Sequence, residues 1–133
     1  MADSTARLYH VPAADCSAST AQTSGMQRFA ALSGDRVGAR ALWMGRSHVA
    51  PTTNSGPHHH GESETGIFVV SGHPAFLYRE GDQVVELQTA PGDFIYVPPF
   101  VPHVESNPSP DQEAVVVVAR TTQEAIVVNL EQL

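Results

Sequence analysis

The sequence predicts a single all-β domain, a sandwich or barrel of the jelly-roll type, and three observations lead there. Short runs rich in β-branched and aromatic residues recur along the chain: Val37–Met44, Ile67–Val70, Ala75–Arg79, Val84–Leu87, Phe94–Val97, Ala114–Ala119 and Ile126–Leu130. Ten Gly and ten Pro lie between and around them, as turn punctuation requires. No stretch sustains a helical period over three capped turns, a short turn near Met26–Leu32 apart. About eight short strands with no long helix bury their apolar faces best as two packed sheets or a closed barrel.

Taken in order, residues 1–25 are a polar Ser-, Thr- and Ala-rich N-terminal arm, with one edge strand expected around Arg7–Val11. Residues 26–133 form the β-barrel domain. Tyr78–Val84 reads as a hairpin, because Glu80-Gly81-Asp82 supplies a turn between two apolar runs. Val115–Val118 is apolar on both faces, so it belongs inside the sandwich or at a subunit contact, and a homodimer is expected through that surface. A chain of this size buries roughly two-thirds of its unfolded surface, enough for one core without disulfide staples.

Charge and composition remove several classes of function. Apolar residues make up 41% of the chain and charged ones 16%, with a net charge of −7. With no basic stripe to neutralise phosphates, nucleic acid and anionic membranes are not expected partners. All seven basic residues are Arg, which excludes lysine Schiff-base chemistry, pyridoxal phosphate attachment and a Walker-type phosphate loop. Cys16 is the sole cysteine, so no intrachain disulfide forms, and its Asp-Cys-Ser setting makes a poor nucleophile. No charged-then-apolar leader and no membrane-length apolar run is present, and a cytoplasmic protein is expected.

Chemistry concentrates in two segments. The first is Gly56-Pro57-His58-His59-His60-Gly61-Glu62-Ser63-Glu64. On a strand His58 and His60 share one face about 7 Å apart and His59 points away. Glu64 follows across a turn and can reach the same ion; Glu62 is the alternative carboxylate. The second segment runs from Gly92 to Asn107, where Gly92-Asp93 turns into an aromatic-rich strand and Pro98, Pro99 and Pro102 bend the chain back to His103. On a strand, Glu105 and Asn107 share the face of His103, so Glu105 either orients that imidazole or acts as a general base. Imidazole and carboxylate together suit Fe, Mn, Ni, Cu, Co or Zn.

These segments resemble the paired motifs of the cupin superfamily, in the manner of small single-domain bacterial cupins. The first motif has the form His-x-His, three or four residues, Glu, then a closing Gly, and is matched by His58, His60 and Glu64. The second has Gly, five residues, Pro-x-Gly, two residues, His, three residues, Asn, and is matched by Gly92, Pro98, His103 and Asn107. Phe100 stands where the second motif has glycine, and Gly72 lies one residue further from Glu64 than the usual spacing. The resemblance implies a cupin jelly-roll barrel holding one divalent metal ion through His58, His60, Glu64 and His103.

Four protein ligands leave open positions on a roughly octahedral ion for a small-molecule substrate. The expected activity is therefore that of a metal-dependent oxidoreductase of dioxygenase type, acting on a small oxygenated or aromatic molecule. A non-redox isomerase, lyase or cyclase with Glu105 as base is the alternative, and a binding or sensing module without turnover is the third. Trp43, Phe94, Tyr96 and Phe100 are expected to wall the site or fill the core. His10, His48 and His73 are expected to be structural.

Overall fold

The computed structural model describes residues 6–133. Its first strand, β1 (Met26–Leu32), occupies the segment read from sequence as a short helical turn. Met26 and Ala30 are buried at alternate positions, and the strand pairs antiparallel with β2 (Trp43–Val49) from Met26↔Val49 onwards. Long-range pairing overrides a weak local signal here. The strand expected over Val37–Met44 is displaced as well. Ser33 caps a one-turn helix, α1 (Gly34–Val37), by accepting from Arg36 N–H at 3.3 Å, and Gly38 ends it at φ 72°. That turn consumes Val37, and β2 begins only at Trp43, burying Trp43, Gly45, Ser47 and Val49 in strict alternation.

The remaining strands are β3 (Thr53–Asn54), β4 (His58–His59), β5 (Thr65–Ser71), β6 (Ala75–Glu80), β7 (Gln83–Gln88), β8 (Phe94–Val97), β9 (His103–Asn107), β10 (Ala114–Arg120) and β11 (Val128–Asn129). They form two antiparallel sheets, one in the order β1-β2-β10-β5-β8 and the other β11-β4-β9-β6-β7, with β3 also on β9. The β6–β7 hairpin turns at Gly81-Asp82, as its sequence predicts. β10 lies centrally between β2 and β5, which explains the apolar character of Val115–Val118 on both faces. Val116 packs inward, whereas Val115 and Val117 are half-buried on the outer face. At the C-terminus only Val128–Asn129 pairs, against β4, so the strand expected over Ile126–Leu130 shrinks to two residues.

No strand forms at Arg7–Val11, where the residues are exposed up to His10 and only Val11 is half-buried. The arm instead joins the sheet later, through backbone bridges Ser17↔Ala30 and Thr23↔Met26. Between the sheets Ile67, Val69, Phe76, Val97 and Val116 form the main core, with Met26, Val49 and Ala114 as a second cluster. Each such aliphatic burial contributes roughly 1.5–3 kcal/mol. Trp43 is buried as expected, but Phe94, Tyr96 and Phe100 are 77%, 60% and 63% exposed and wall nothing inside. Phe94 and Tyr96 occupy outward positions of the edge strand β8, alternating with Ile95 and Val97 that pack into the core. Among the described residues no helix is long and apolar enough to cross a membrane.

Candidate metal centre

β4 and β9 lie side by side, with His58 directly opposite His103. Cross-strand partners bring their Cβ atoms to about 5 Å, and alternation puts His60 on the same face as His58. The three imidazoles therefore converge, with ring centroids separated by 4.8 Å for His58–His60, 4.5 Å for His58–His103 and 5.0 Å for His60–His103. His59 points the other way: its Nδ1 accepts from Gly61 N–H at 3.0 Å and its ring packs against Phe100.

One pattern fixes the chemistry of the cluster. Nδ1 of His58, His60 and His103 each lies 2.9 Å from a backbone carbonyl, of Gly56, Ile126 and Val101 respectively. A carbonyl oxygen only accepts, so each Nδ1 carries a proton, and in its neutral form each ring presents its Nε2 lone pair. Two residues beyond His103 on the same strand face, Glu105 adds a carboxylate, and one ligand atom from each of the four residues falls within 4.8 Å of the others. Oε1 of Glu105 lies 3.5 Å from His103 Nε2, too far for a good hydrogen bond, and that nitrogen is buried without any hydrogen-bond partner.

Burial and the neighbouring carboxylate act on the three rings in opposite directions. Burial lowers the pKa of His58 and His60, outweighing the opposing pull of their carbonyl acceptors and of Glu105. Burial also pulls His103 down, but the adjoining Glu105 carboxylate reverses the direction and raises it. For Glu105 burial alone would raise the pKa; the His103 ring beside it, with His58 and His60, holds it down at about 2. Three imidazoles and a carboxylate thus converge on one point that could hold a cation. Ligand bonds of about 2.0–2.2 Å place opposite donors little more than 4 Å apart, so these residues fit a divalent transition metal after closing by a few tenths of an ångström.

The carboxylate beside the three imidazoles is Glu105, whereas the expected Glu64 lies apart from them. Glu64 and Glu62 are both exposed, and Glu64 Oε1 accepts from Tyr96 O–H at 2.6 Å on the outer surface. The carboxylate also raises the pKa of that phenol. Strand parity explains the placement: β5 starts at Thr65, which points inward and is buried, so its neighbour Glu64 points out. The long spacing from Glu64 to Gly72 carried this signal, because the usual offset from Gly72 lands on Thr65. Asn107 is also inward, 1% exposed, and donates to the carbonyls of Val49 at 3.1 Å and Gln112 at 2.8 Å.

Other sequence candidates have structural partners. His48 contacts Glu113 at 3.0 Å, His73 Nδ1 donates to Thr89 O at 3.0 Å, and His10 is exposed. Cys16 is a free thiol whose Sγ lies 3.9 Å from Pro12 O. Beside the cluster the barrel encloses a cavity of about 120 Å³, lined by His60 and Glu105, by apolar Met26, Ile67, Phe76 and Val116, and by Arg28 and Arg120. Sequence reasoning missed both arginines. Their only local signal is a charged residue at an inward position of an alternating strand.

Residues 45–120 match the family described as cupin domain. The chain belongs to the cupin family. Comparison with curated proteins found no match to this cupin. Among solved structures it resembles the polyketide cyclase RemF from Streptomyces resistomycificus at TM-score 0.76 and 21% identity, over 96% of this chain and 88% of that one. It also resembles Peruvianin-I, described as a cysteine peptidase from Thevetia peruviana latex, at TM-score 0.71 and 16% identity, over 100% of this chain and 82% of that one. A third is Bacillus subtilis oxalate decarboxylase, described with Mn(II) centres, at TM-score 0.68 and 17% identity, over 82% of this chain and 29% of that one. At these identities the likeness establishes the cupin fold, and chemistry has to be argued from the site.

Proposed function

We propose that this cupin is a mononuclear metal-dependent oxidoreductase of dioxygenase type, acting on a small oxygenated or aromatic molecule in the cavity beside the His cluster. The observation that carries the metal reading is the convergence of three Nε2 lone pairs with the Glu105 carboxylate, each imidazole oriented by its own backbone carbonyl. His58, His60, His103 and Glu105 are the ligands of this reading, and ligation replaces the general-base role expected for Glu105. When bound, the ion supplies Lewis acidity and open positions for substrate and dioxygen. The protein's own part is to hold the imidazoles in one tautomer, to exclude bulk water with Met26, Ile67, Phe76 and Val116, and to limit ligand size. The descriptions of oxalate decarboxylase, with its Mn(II) centres, and of RemF as a cyclase are compatible with such a site.

Elemental analysis of untagged protein tests the ligand set. We expect about one ion per chain in wild type, most of it lost in His58→Ala, His60→Ala, His103→Ala and Glu105→Ala, and full retention in His59→Ala and Glu64→Ala; a lost outer-shell partner typically costs 10–100-fold in affinity and a ligand more. Metal loss in Glu64→Ala with retention in Glu105→Ala would overturn the assignment. Oxygen uptake with enolic and phenolic substrates by the iron- or manganese-loaded protein tests the reaction class. Turnover that survives replacement by zinc assigns a non-redox isomerase, lyase or cyclase instead, and a retained ligand without turnover assigns a binding module. A cytoplasmic homodimer completes the proposal, supported by the apolar outer face around Val117, Phe68 and Phe94, and is checked by fractionation and sedimentation velocity.

A further inference from the structure

The cavity beside the His cluster carries an excess of positive charge that the ligand set does not use. Arg28 sits on β1 opposite Ser47, which is opposite Val116, in a row of inward positions. Its Nη1 donates to Thr23 Oγ1 at 2.8 Å, and the side chain of Gln22 clasps its backbone, accepting from Arg28 N–H at 2.7 Å and donating to Arg28 O at 2.9 Å. Arg120 ends β10. Its Nε and Nη2 donate to the carbonyls of Thr122 at 3.0 Å and Gln123 at 2.8 Å, and its guanidinium stacks 4.0 Å over the Trp43 ring. That ring lies across Gly45, where an added Cβ would stand 2.8 Å from the Trp43 ring edge. Between the two arginines the inner face of β2 offers Gly45, covered by the Trp43 ring, and Ser47, which lines the cavity.

All these acceptors are neutral. The ion pairs among the described residues are His48–Glu113 and His103–Glu105, so neither guanidinium has a carboxylate partner. Two cationic groups line the cavity against one carboxylate, Glu105, and a divalent ion on the cluster would add further positive charge. Burial lowers the pKa of both arginines, with Glu105 partly offsetting this for Arg28 and the charge of Arg28 adding to it for Arg120. Two half-buried cations without a carboxylate partner carry a desolvation penalty, which an anion entering between them offsets.

We propose that the ligand of this cavity is a small carboxylic acid, bound as its anion, with the carboxylate between Arg28 and Arg120 and the remainder of the molecule facing the His58–His60–His103–Glu105 cluster. Its placement towards the cluster rests on the metal reading, whereas capture of the carboxylate by the arginines does not. A cavity of about 120 Å³ is smaller than the roughly 150 Å³ that accommodates benzene, which bounds the size of the acid. Gln22 and Thr23 act as positioning residues, holding Arg28 from the arm.

Propionate and propionamide share a shape and differ in charge, so calorimetric titration of both into the protein as purified, and again after chelation, tests the proposal. We expect propionate to bind about tenfold or more tightly than propionamide, the scale of one charge-assisted hydrogen bond. Arg28→Gln and Arg120→Gln should each erase the difference while the metal content of the protein stays at the wild-type level. Equal binding of the two probes, no binding of propionate or of acetate, or an unchanged preference in both variants would overturn it. Preference for propionate in a protein that holds no metal would leave the arginine site standing and remove the metal reading. Bound metal without any charge preference would do the reverse.

Discussion

A buried imidazole is worth most to a metal when its other nitrogen is already committed. In this cupin all three are: Gly56, Ile126 and Val101 each take the Nδ1 proton, so no ring must rotate or change tautomer when an ion arrives. The same residue-scale logic separates two glutamates that look equivalent in the sequence. Glu105 faces three lone pairs across a buried gap, while Glu64 accepts a phenol proton in solvent. Phe100 offers a different test. It holds φ 62° at the position where the related motif has glycine, a left-handed conformation that costs an L-residue about 1 kcal/mol or more. Phe100→Gly should therefore melt at or above wild type, and Phe100→Val should lose about 1 kcal/mol, since β-branching suits that conformation least. The opposite order of melting temperatures would show that contact with His59 outweighs backbone strain.

At the scale of elements, parity decides which side chains meet. β9 carries His103, Glu105 and Asn107 on one face, so a single strand delivers an imidazole, a carboxylate and an amide inward. The amide does not belong to the cluster. Asn107 ties β9 to Val49 and to the loop before β10, and accepts from Ser109 N–H at 3.2 Å. Asn107→Ala leaves two carbonyls without that donor, and we expect a loss of about 2–3 kcal/mol in denaturant unfolding with the metal content per folded chain unchanged. Metal loss in step with stability would instead assign Asn107 to the site. This face was legible in the sequence once His103 was placed on a strand, because alternation requires no tertiary information. The start of β5 was not: whether Glu64 or Thr65 points inward depends on where pairing begins, and only the registers Thr65↔Val97 and Thr65↔Arg120 settle it. Likewise Ser33 and Gly38 delayed β2 past Val37, and the bridges to Ser17 and Thr23 turned part of the arm into an edge of the sheet.

For the whole molecule, the proposed ligands come from separate segments that the barrel joins, so an ion held there and the fold should stabilise each other. Two residues of β9 and the β4 segment supply the donors, and His60 is in turn oriented by Ile126 near the C-terminus. An ion that binds only the folded chain stabilises it by about 2.7 kcal/mol at a free concentration one hundred times its Kd. Chelation should then lower Tm by roughly 5–10 °C for a domain of this size, with recovery when the ion is restored. An unchanged Tm after complete removal would mean that the cluster is rigid without its cation. The resemblance read from His58, His60, His103 and their flanking Gly, Pro and Asn positions determined the cupin fold and three of the four clustered side chains, because a motif's spacing is a property of one local segment. Which carboxylate joins them, and that Arg28 and Arg120 share their cavity, only the tertiary structure decided: strand register sets which way a side chain points, and register is fixed by partners far away in the chain.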